Sequence, residues 1–383
     1  MKVAIVHDYI KEFGGAERVL EALCEIYPDA PIYTVFVDKS SSAYAHFKDK
    51  KIIESWAAVI PFFPKLASPL RFLIPWIWGT LDLSKYDLVI SSASWYVTKG
   101  FGSRQNLVQG LPIEICYCHT PPRWLYGYTT SVNFQKYAIV RFYAAVVGHF
   151  LRLHDFKKAQ KVDYFIANSK EVQNRIKKFY RRESTVIYPP VSLPIARSKK
   201  QEARSKNYYF IVSRIVGAKG LGLAVEAAIK LNIKLKIAGA PAGYYFEYKK
   251  LLEQSRGRVE FLGQVSDQEL AKLYSQAKGF LALARDEDFG ITPVESMLSG
   301  TPVIAFNGGG YKETVLQGKT GVLFDDYSVQ GLISAIEKFE TLRQAQGLFD
   351  SVKIKQHAQK FGKERFKKEI KEFVEKYAGT SRS

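Results

Sequence analysis

The sequence has little cysteine: among 383 residues only Cys24, Cys116 and Cys118 occur. Three cysteines cannot build a disulfide framework in a chain of this length, which favours a reducing cytosol as the compartment. The stretch "ICYCHT" brings Cys116 and Cys118 close to His119, but the paired spacings of a zinc site and a second ligand cluster are absent from the sequence. On a strand the two thiols would share one face, and we expect them to be small core residues.

Long hydrophobic runs are also missing, because no stretch of about 18 uninterrupted apolar residues exists, and the sequence therefore predicts no membrane-spanning helix. The first residues, "MKVAIVHDYI", lack a basic region followed by a longer apolar run, which disfavours a signal peptide. The most apolar stretch, 56–79, is broken by four prolines, Lys65 and Arg71. It is nevertheless too apolar for an ordinary surface loop.

Acidic residues are few, since 37 Asp and Glu face 56 Lys and Arg, and the net charge is +19. Such a field attracts nucleic acid, an anionic membrane surface or phosphorylated small molecules. The sequence contains no recognised nucleic-acid-binding module, so a nucleic-acid partner is the disfavoured alternative. Residues 141–182 hold eleven Lys and Arg against three Asp and Glu, and their first part mixes Phe and Tyr with cations. That pattern favours an interfacial helix on an anionic membrane; a core helix with snorkelling lysines is the alternative.

Short β-rich runs alternate with helical stretches along almost the whole chain, and several of these runs are apolar on both faces. Strands of a parallel sheet covered by helices on both sides have this pattern, so the fold class is α/β and doubly wound. The helical spacing of apolar residues is clear at 19–26 and 221–231. The clearest strands are predicted at 3–6, 87–91, 113–119, 163–168, 185–188, 208–213, 235–239, 259–263, 279–284, 302–306 and 321–324.

The alternation pauses once, at 189–207, where proline, serine and charge dominate without an apolar period. We interpret this stretch as the linker between two Rossmann-like domains, 1–195 and 196–360. Residues 361–383 carry apolar side chains on one helical face and charge on the other, which predicts an amphipathic helix packed back on the N-terminal domain.

In a doubly wound fold, ligands bind beyond the carboxyl ends of the strands. After the first strand, Gly14 and Gly15 open a helix whose bare N–H groups can approach a phosphate or a sugar; an ordinary glycine loop is the alternative. After the strand at 208–213, Arg214 and Lys219 share a glycine-containing loop. Two cations there suit a diphosphate, and a solvated basic loop is the alternative.

The third loop follows the strand at 279–284 and reads "DEDFGITPVE". Its pattern predicts Glu287 in the loop, Thr292 as helix cap, Pro293 at the first helical position and Glu295 in the first turn. The amides of 289–291 would line an anion-friendly turn, with carboxylates on either side to accept hydrogen bonds from sugar and ribose hydroxyls. Two alternatives remain open at this point: a metal held by residues 286–288, and a capping box formed by Thr292 and Glu295.

Five motifs together carry a resemblance to a known family. "RDEDFGITPVESMLSGTPVIA" resembles the E-x7-E signature of retaining glycosyltransferases of family four, which have the GT-B fold with two Rossmann-like domains facing across a cleft. "HDYIKEFGGAERVL", "SRIVGAKG", "FLGQVSDQEL" and "GGYKETV" resemble the same family in the expected order. "YCHTPPRWLY", "DYFIANSKEV" and "VIYPPV" are similar to a bacterial subgroup that includes O-antigen mannosyltransferases.

The resemblance implies roles for the residues that match. Glu287 would hold hydroxyls of the donor sugar and Glu295 the ribose hydroxyls, while Arg214 and Lys219 would neutralise the diphosphate. The backbone of Gly14, Gly15, Phe289, Gly290, Ile291 and Thr292 would also contact the donor, and His119 would contact the donor sugar or the acceptor. No metal and no cofactor are implied. Asp288 replaces the usual glycine and Ala218 the usual acidic residue, which leaves the local loop shape open.

The implied reaction moves a hexose, with mannose from GDP-mannose the best match, from a nucleotide sugar to an acceptor hydroxyl with retention. A lipid-linked acceptor on the cytoplasmic face of the cell membrane, in cell-surface polysaccharide synthesis, fits the subgroup and the basic aromatic segments. Closure of the two domains about the linker would exclude water from the site. The alternatives are a nucleotide-sugar epimerase, a phosphorylase or a non-catalytic sugar-nucleotide binder of the same fold.

Overall fold

We describe the protein from a computed structural model. The described residues are 1–102, 111–130, 137–193, 207–240, 245–255, 257–345 and 348–379. The chain forms two compact units: Met1–Tyr128, Phe134–Pro190 and Lys363–Ser383 make the first, and Thr129–Asn133 with Val191–Gly362 make the second. Most of the predicted linker, 194–206, lies outside the described residues.

The first unit is built on a parallel sheet with the strand order β3-β2-β1-β4-β5-β6-β7. Its described strands are β1 (Val3–His7), β2 (Ile32–Thr34), β3 (Ile52–Glu54), β4 (Leu88–Ala93), β5 (Ile113–Cys118), β6 (Tyr164–Ala167) and β7 (Thr185–Val186). Its described helices are α1 (Gly15–Ile26), α2 (Ser42–Phe47), α3 (Phe63–Leu66), α4 (Ile74–Gly79), α5 (Ala138–Lys161) and α6 (Lys170–Tyr180). The strand order is that of a doubly wound sheet.

The two faces of this sheet bury different residues, because side chains alternate along each strand. Ile5 packs with α1 on one face, whereas Ala4 and Val6 pack on the other against the apolar stretch 56–79. In that stretch Phe63, Ile74, Ile77 and Trp78 are buried. The prolines break it into short helical turns, so it covers the sheet without forming one long helix.

The C-terminal helix α14 (Lys363–Ala378) packs against the first unit. Its buried residues Phe366, Ile370, Phe373 and Val374 join the same cluster as Ile5 and the apolar face of α1. The predicted amphipathic face therefore faces a core, and its charged residues lie on the outside.

The second unit repeats the doubly wound design with the strand order β10-β9-β8-β11-β12-β13. Its described strands are β8 (Tyr208–Val212), β9 (Lys234–Ala238), β10 (Val259–Gly263), β11 (Gly279–Ala282), β12 (Val303–Phe306) and β13 (Gly321–Phe324). Its described helices are α7 (Leu221–Lys230), α8 (Tyr245–Gln254), α9 (Asp267–Gln276), α10 (Ile291–Leu298), α11 (Tyr311–Thr314), α12 (Val329–Gln344) and α13 (Ser351–Gln359).

The predicted α/β class is confirmed, and each strand predicted from the sequence is present with ends that differ by at most two residues. The sequence predicted neither β2 nor β3, which have three residues each. Such short strands give no readable period of two. Among the described residues, no helix is both long and apolar enough to cross a membrane.

Candidate active site

The strand order of the second sheet reverses between β8 and β11, which are neighbours although they are not consecutive in the chain. Loops that leave the carboxyl ends of two such strands form the usual ligand site of this fold. Arg214 follows β8 and is exposed. Lys219 ends a short 3-10 helix in the same loop, and Glu287 follows β11.

Lys219 and Glu287 meet at this edge. The Lys219 ammonium lies 2.8 Å from Glu287 Oε2, and the two side chains are 27% and 17% exposed. The buried Tyr311 donates its hydroxyl to the same carboxylate oxygen over 3.3 Å. Glu287 is thus a partly accessible carboxylate that two donors hold in place, which suits a group that must present its oxygens to a ligand.

Close backbone packing also holds the loop around Glu287. Gly310 donates its N–H to the Glu287 carbonyl over 2.9 Å. Gly309 has φ +53°, and a Cβ there would lie 2.1 Å from the same carbonyl oxygen. A larger residue at 309 would therefore push the Glu287 loop away, which explains the glycine run of "NGGGYKE" in physical terms.

The prediction for the start of α10 was wrong. The helix is capped by Gly290, in the left-handed conformation with φ 89°, and begins at Ile291. Thr292 and Pro293 are therefore inside the first turn, and Glu295 lies beyond it. The capping box of Thr292 and Glu295 does not form, because Thr292 is not the cap residue. Gly290 accepts the left-handed backbone without strain, and this displaced the cap that the Thr-Pro pair suggested.

Glu295 is buried, with 2% of the residue exposed. The fully buried Tyr274 on α9 donates its hydroxyl to Glu295 Oε2 over 2.9 Å. Phe289, predicted to contact a donor through its backbone, has a buried ring that packs on Phe361 with ring centroids 5.6 Å apart. Both signature glutamates therefore receive a hydrogen bond from a buried tyrosine.

The metal alternative for residues 286–288 gains no three-residue ligand cluster from the described residues. Asp286 accepts hydrogen bonds from the backbone N–H of Thr129, at 3.1 Å, and from its hydroxyl. Across the described ranges, no group of three His, Cys, Asp or Glu side chains is arranged to hold a metal ion. Cys116 and Cys118 lie on β5 and are buried in one apolar cluster, as predicted.

In the first unit, α1 begins at Gly15 and Gly14 is its cap residue. The side chain of Glu17 turns back to accept the Gly14 N–H over 2.9 Å. A carboxylate at a helix N-terminus is stabilised by the helix dipole. The sequence predicted the glycines at this helix start but not Glu17, although the spacing of Glu17 from Gly14 is that of a capping box.

His119 follows β5 and is 8% exposed. Its Nε2 lies 2.8 Å from the hydroxyl of Ser92 on β4. The same hydroxyl lies 3.0 Å from Nδ1 of His7 on β1. Burial, aided by the nearby His7, lowers the pKa of His119 to about 3, so its imidazole is neutral at physiological pH. We predicted no role for His7, although it begins the motif "HDYIKEFGGAERVL", and none for Ser92.

Two family models match this chain in succession. Residues 13–193 match "Glycosyltransferase Family 4", and residues 194–361 match "Glycosyl transferases group 1". Human Alpha-1,3/1,6-mannosyltransferase ALG2 is 28% identical over 293 residues, which cover 68% of this chain and 67% of that protein. A D-inositol 3-phosphate glycosyltransferase from Corynebacterium urealyticum is 32% identical over 139 residues, 33% of this chain and 32% of its own.

Solved structures share the fold at lower identity. Anabaena HepE, crystallised with UDP and glucose, is 19% identical with a TM-score of 0.72, and the match covers 98% of this chain and 99% of HepE. Sucrose-phosphate synthase from Thermosynechococcus elongatus is 18% identical with a TM-score of 0.73, and the match covers both chains fully. With glycosyltransferase models matching both of its halves, the chain is a glycosyltransferase of the GT-B type.

Proposed function

We propose that the protein transfers a hexose from a nucleotide sugar to an acceptor hydroxyl with retention of configuration, and that the donor is GDP-mannose. The observation that carries this proposal is the pair of Lys219 and Glu287, which lies where the strand order of the second sheet reverses. The name of the ALG2 relative supports mannose as the sugar. A carboxylate accepts hydrogen bonds from sugar hydroxyls, and an adjacent ammonium favours a diphosphate.

In the proposed reaction, the bond between the anomeric carbon and the diphosphate oxygen breaks, and the acceptor oxygen bonds to that carbon on the same face. The acceptor proton passes to an oxygen of the departing diphosphate. Arg214 and Lys219 stabilise the charge that develops on the leaving group. Glu287 orients the sugar ring through its hydroxyls, and Glu295 binds the ribose. His119 contacts the donor sugar or the acceptor.

The proposed reaction uses neither a metal nor a cofactor. The contacts of the acidic loop support this, since Asp286 is engaged by Thr129 and Glu287 by Lys219. The side chains that would take up the diphosphate charge are cations of the chain itself. This assignment makes the reaction insensitive to a chelator, which can be measured directly.

The first experiment is a donor panel with EDTA present throughout: GDP-mannose, UDP-glucose, UDP-galactose and UDP-N-acetylglucosamine, with release of nucleoside diphosphate as the readout. We expect GDP-mannose to be cleaved and Glu287→Gln to lose that activity. Activity that appears only with added Mg²⁺ or Mn²⁺ contradicts the metal-free reaction. Interconversion of sugars without release of nucleotide identifies an epimerase instead.

We further propose that the first unit binds the cytoplasmic leaflet of a membrane and takes a lipid-linked acceptor, as in the synthesis of cell-surface polysaccharide. Helix α5 carries an exposed apolar stripe at helical spacing. Ile139, Phe142, Val146, Phe150 and Leu153 are 84%, 74%, 42%, 66% and 50% exposed. An apolar stripe of this kind on a core helix would be buried, so its exposure disfavours the core alternative.

The stretch 56–79 extends this apolar surface. Tyr143 of α5 donates its hydroxyl to the Pro69 carbonyl over 2.6 Å, which ties the two segments together. In the same stretch Val59, Phe62 and Trp76 are 84%, 72% and 61% exposed. Aromatic and aliphatic side chains beside cations are typical of surfaces that enter the interface of an anionic bilayer. Cosedimentation with vesicles of phosphatidylglycerol and phosphatidylcholine tests this; binding is expected, and its absence contradicts the membrane proposal.

A further inference from the structure

Three polar side chains of the first unit form a line across the carboxyl ends of adjacent strands. His7 on β1 and Ser92 on β4 are register partners, and His119 directly follows β5, the next strand. The Ser92 hydroxyl lies 3.0 Å from His7 Nδ1 and 2.8 Å from His119 Nε2. Ser92 is fully buried and His7 is 2% exposed.

A serine hydroxyl has one proton, so it can donate to only one of two imidazole nitrogens. The other nitrogen must then carry its own proton and donate to the serine oxygen. The line therefore has two arrangements when both rings are neutral. Either His119 donates from Nε2 and Ser92 donates to His7, or His7 donates from Nδ1 and Ser92 donates to His119.

Glu17 distinguishes these arrangements. Its Oε1 lies 3.7 Å from His7 Nε2, while its Oε2 accepts the Gly14 N–H. A carboxylate favours an N–H on the facing nitrogen and repels a lone pair. His7 therefore carries its proton on Nε2, its Nδ1 accepts from Ser92, and Ser92 accepts from Nε2 of His119. The lone pair of His119 is then on Nδ1, the ring nitrogen that Ser92 does not occupy.

We propose that Glu17, His7 and Ser92 are positioning residues that fix the Nε2–H tautomer of His119, so that its Nδ1 accepts a hydrogen bond from a substrate hydroxyl. This inference rests on the proposed function for the identity of that substrate, but the tautomer itself does not depend on it. The lowered pKa of His119 is consistent with a neutral ring at physiological pH.

The test is the ring ¹⁵N spectrum of the full-length protein labelled at histidine, in which the His119 signals are assigned with His119→Gln. The sequence has six histidines, so the spectrum is tractable. We expect a pyrrole-type nitrogen at ε2 and a pyridine-type nitrogen at δ1 of His119 in the wild type. The reverse assignment overturns the proposal.

Glu17→Gln tests the cause. A glutamine can still accept the Gly14 N–H, but its amide donates toward His7 Nε2. This reverses the direction of both hydrogen bonds, the one between His7 and Ser92 and the one between Ser92 and His119. His119 should then show the Nδ1–H tautomer, and kcat/KM should fall about tenfold because a substrate hydrogen bond is lost. An unchanged His119 spectrum in this variant overturns the role of Glu17. The matched control is Glu21→Gln on the same helix, which faces the exposed His46 over 3.1 Å and should leave His119 unchanged.

Ser92→Ala is the second variant, in case Glu17→Gln fails to fold. Without the hydroxyl, His119 should show a mixture of tautomers; a single retained Nε2–H tautomer overturns the role of Ser92. If the tautomers behave as expected but no donor is cleaved, the proposed function fails while the assigned tautomer of His119 stands. If donors are cleaved and His119 has the opposite tautomer, the proposed function stands and the tautomer proposal fails.

Discussion

At the scale of single residues, the two signature glutamates are held by different neighbours. We therefore expect them to have different roles in binding and catalysis. Glu287 is partly exposed and shared between Lys219 and Tyr311. Glu295 is buried and bonded to Tyr274. A residue that supports ground-state binding of ribose should affect KM, whereas groups at the reacting sugar and diphosphate should affect kcat.

Tyr274→Phe should raise KM for the nucleotide sugar about tenfold with little change in kcat. The charged Glu295, which we propose binds the ribose, loses the hydrogen bond that Tyr274 donates to it. The control is Tyr208→Phe, which removes a buried hydroxyl that donates to the Leu273 carbonyl over 2.8 Å. Steady-state kinetics of both variants, with inhibition by GDP and 2′-deoxy-GDP, measure the effect. Equal kinetics in the two variants would remove the link from Tyr274 to ribose binding.

Arg214→Ala should raise the barrier by about 3 kcal/mol, because the diphosphate loses a cation that acts mainly in the transition state. The effect is expected in kcat at saturating donor. Arg258→Ala is the matched control, since Arg258 is also exposed but lies at the amino end of β10, the opposite edge of the sheet. Unchanged turnover in Arg214→Ala contradicts the proposed stabilisation of the leaving group.

At the scale of elements, the sequence was most informative where apolar residues run without interruption. β4 and β5 are buried at every position, and the sequence predicted both. It failed where two local rules compete, as at the start of α10, where Gly290 and the pair Thr292-Pro293 each suggest a helix boundary. Sequence alone does not reveal which cap the surrounding loop accepts.

The exposed stripe on α5 gives a prediction for membrane binding. Phe142→Asp should lower the affinity for anionic vesicles about tenfold. A phenylalanine side chain that inserts from water into the bilayer contributes on the order of 1.5 kcal/mol or more to partitioning, and this contribution is lost. Val352→Asp, at a 61% exposed apolar position of the second unit, adds the same charge outside the stripe and should leave binding unchanged. Equal losses in both variants would mean that net charge, not the stripe, determines binding.

At the scale of the whole molecule, sequence motifs located the loops of the candidate site but not the contacts inside them. Arg214, Lys219 and Glu287 could be predicted because each follows a readable strand. The partners Tyr274, His7 and Ser92 could not, since their contacts depend on how helices pack and how strands align. The same holds for the buried ion pair of Lys99 and Asp155, which are 56 residues apart in the chain.

Because α14 packs into the core of the first unit, we predict that it stabilises the folded state of that unit. Phe366 is fully buried against Tyr117, and Phe366→Ala should destabilise the first unit by about 3–5 kcal/mol. Hydrogen exchange measures this unit by unit. Phe339→Ala, in the core of the second unit, is the control and should reduce protection there instead. Loss of protection in the second unit alone with Phe366→Ala would contradict the assignment of α14.

The most direct test of the proposed reaction is real-time ¹H NMR of the donor that the panel identifies, incubated with the wild-type enzyme in EDTA. The chemical shift of the first-formed anomeric proton reports the configuration before the free sugar equilibrates, and it distinguishes the two anomers of mannose, whose H1–H2 couplings are both small because H2 is equatorial. We predict release of nucleoside diphosphate together with a product of the same anomeric configuration as the donor. An inverted first product, or no cleavage of any donor, would contradict the proposal of a retaining, metal-free transferase.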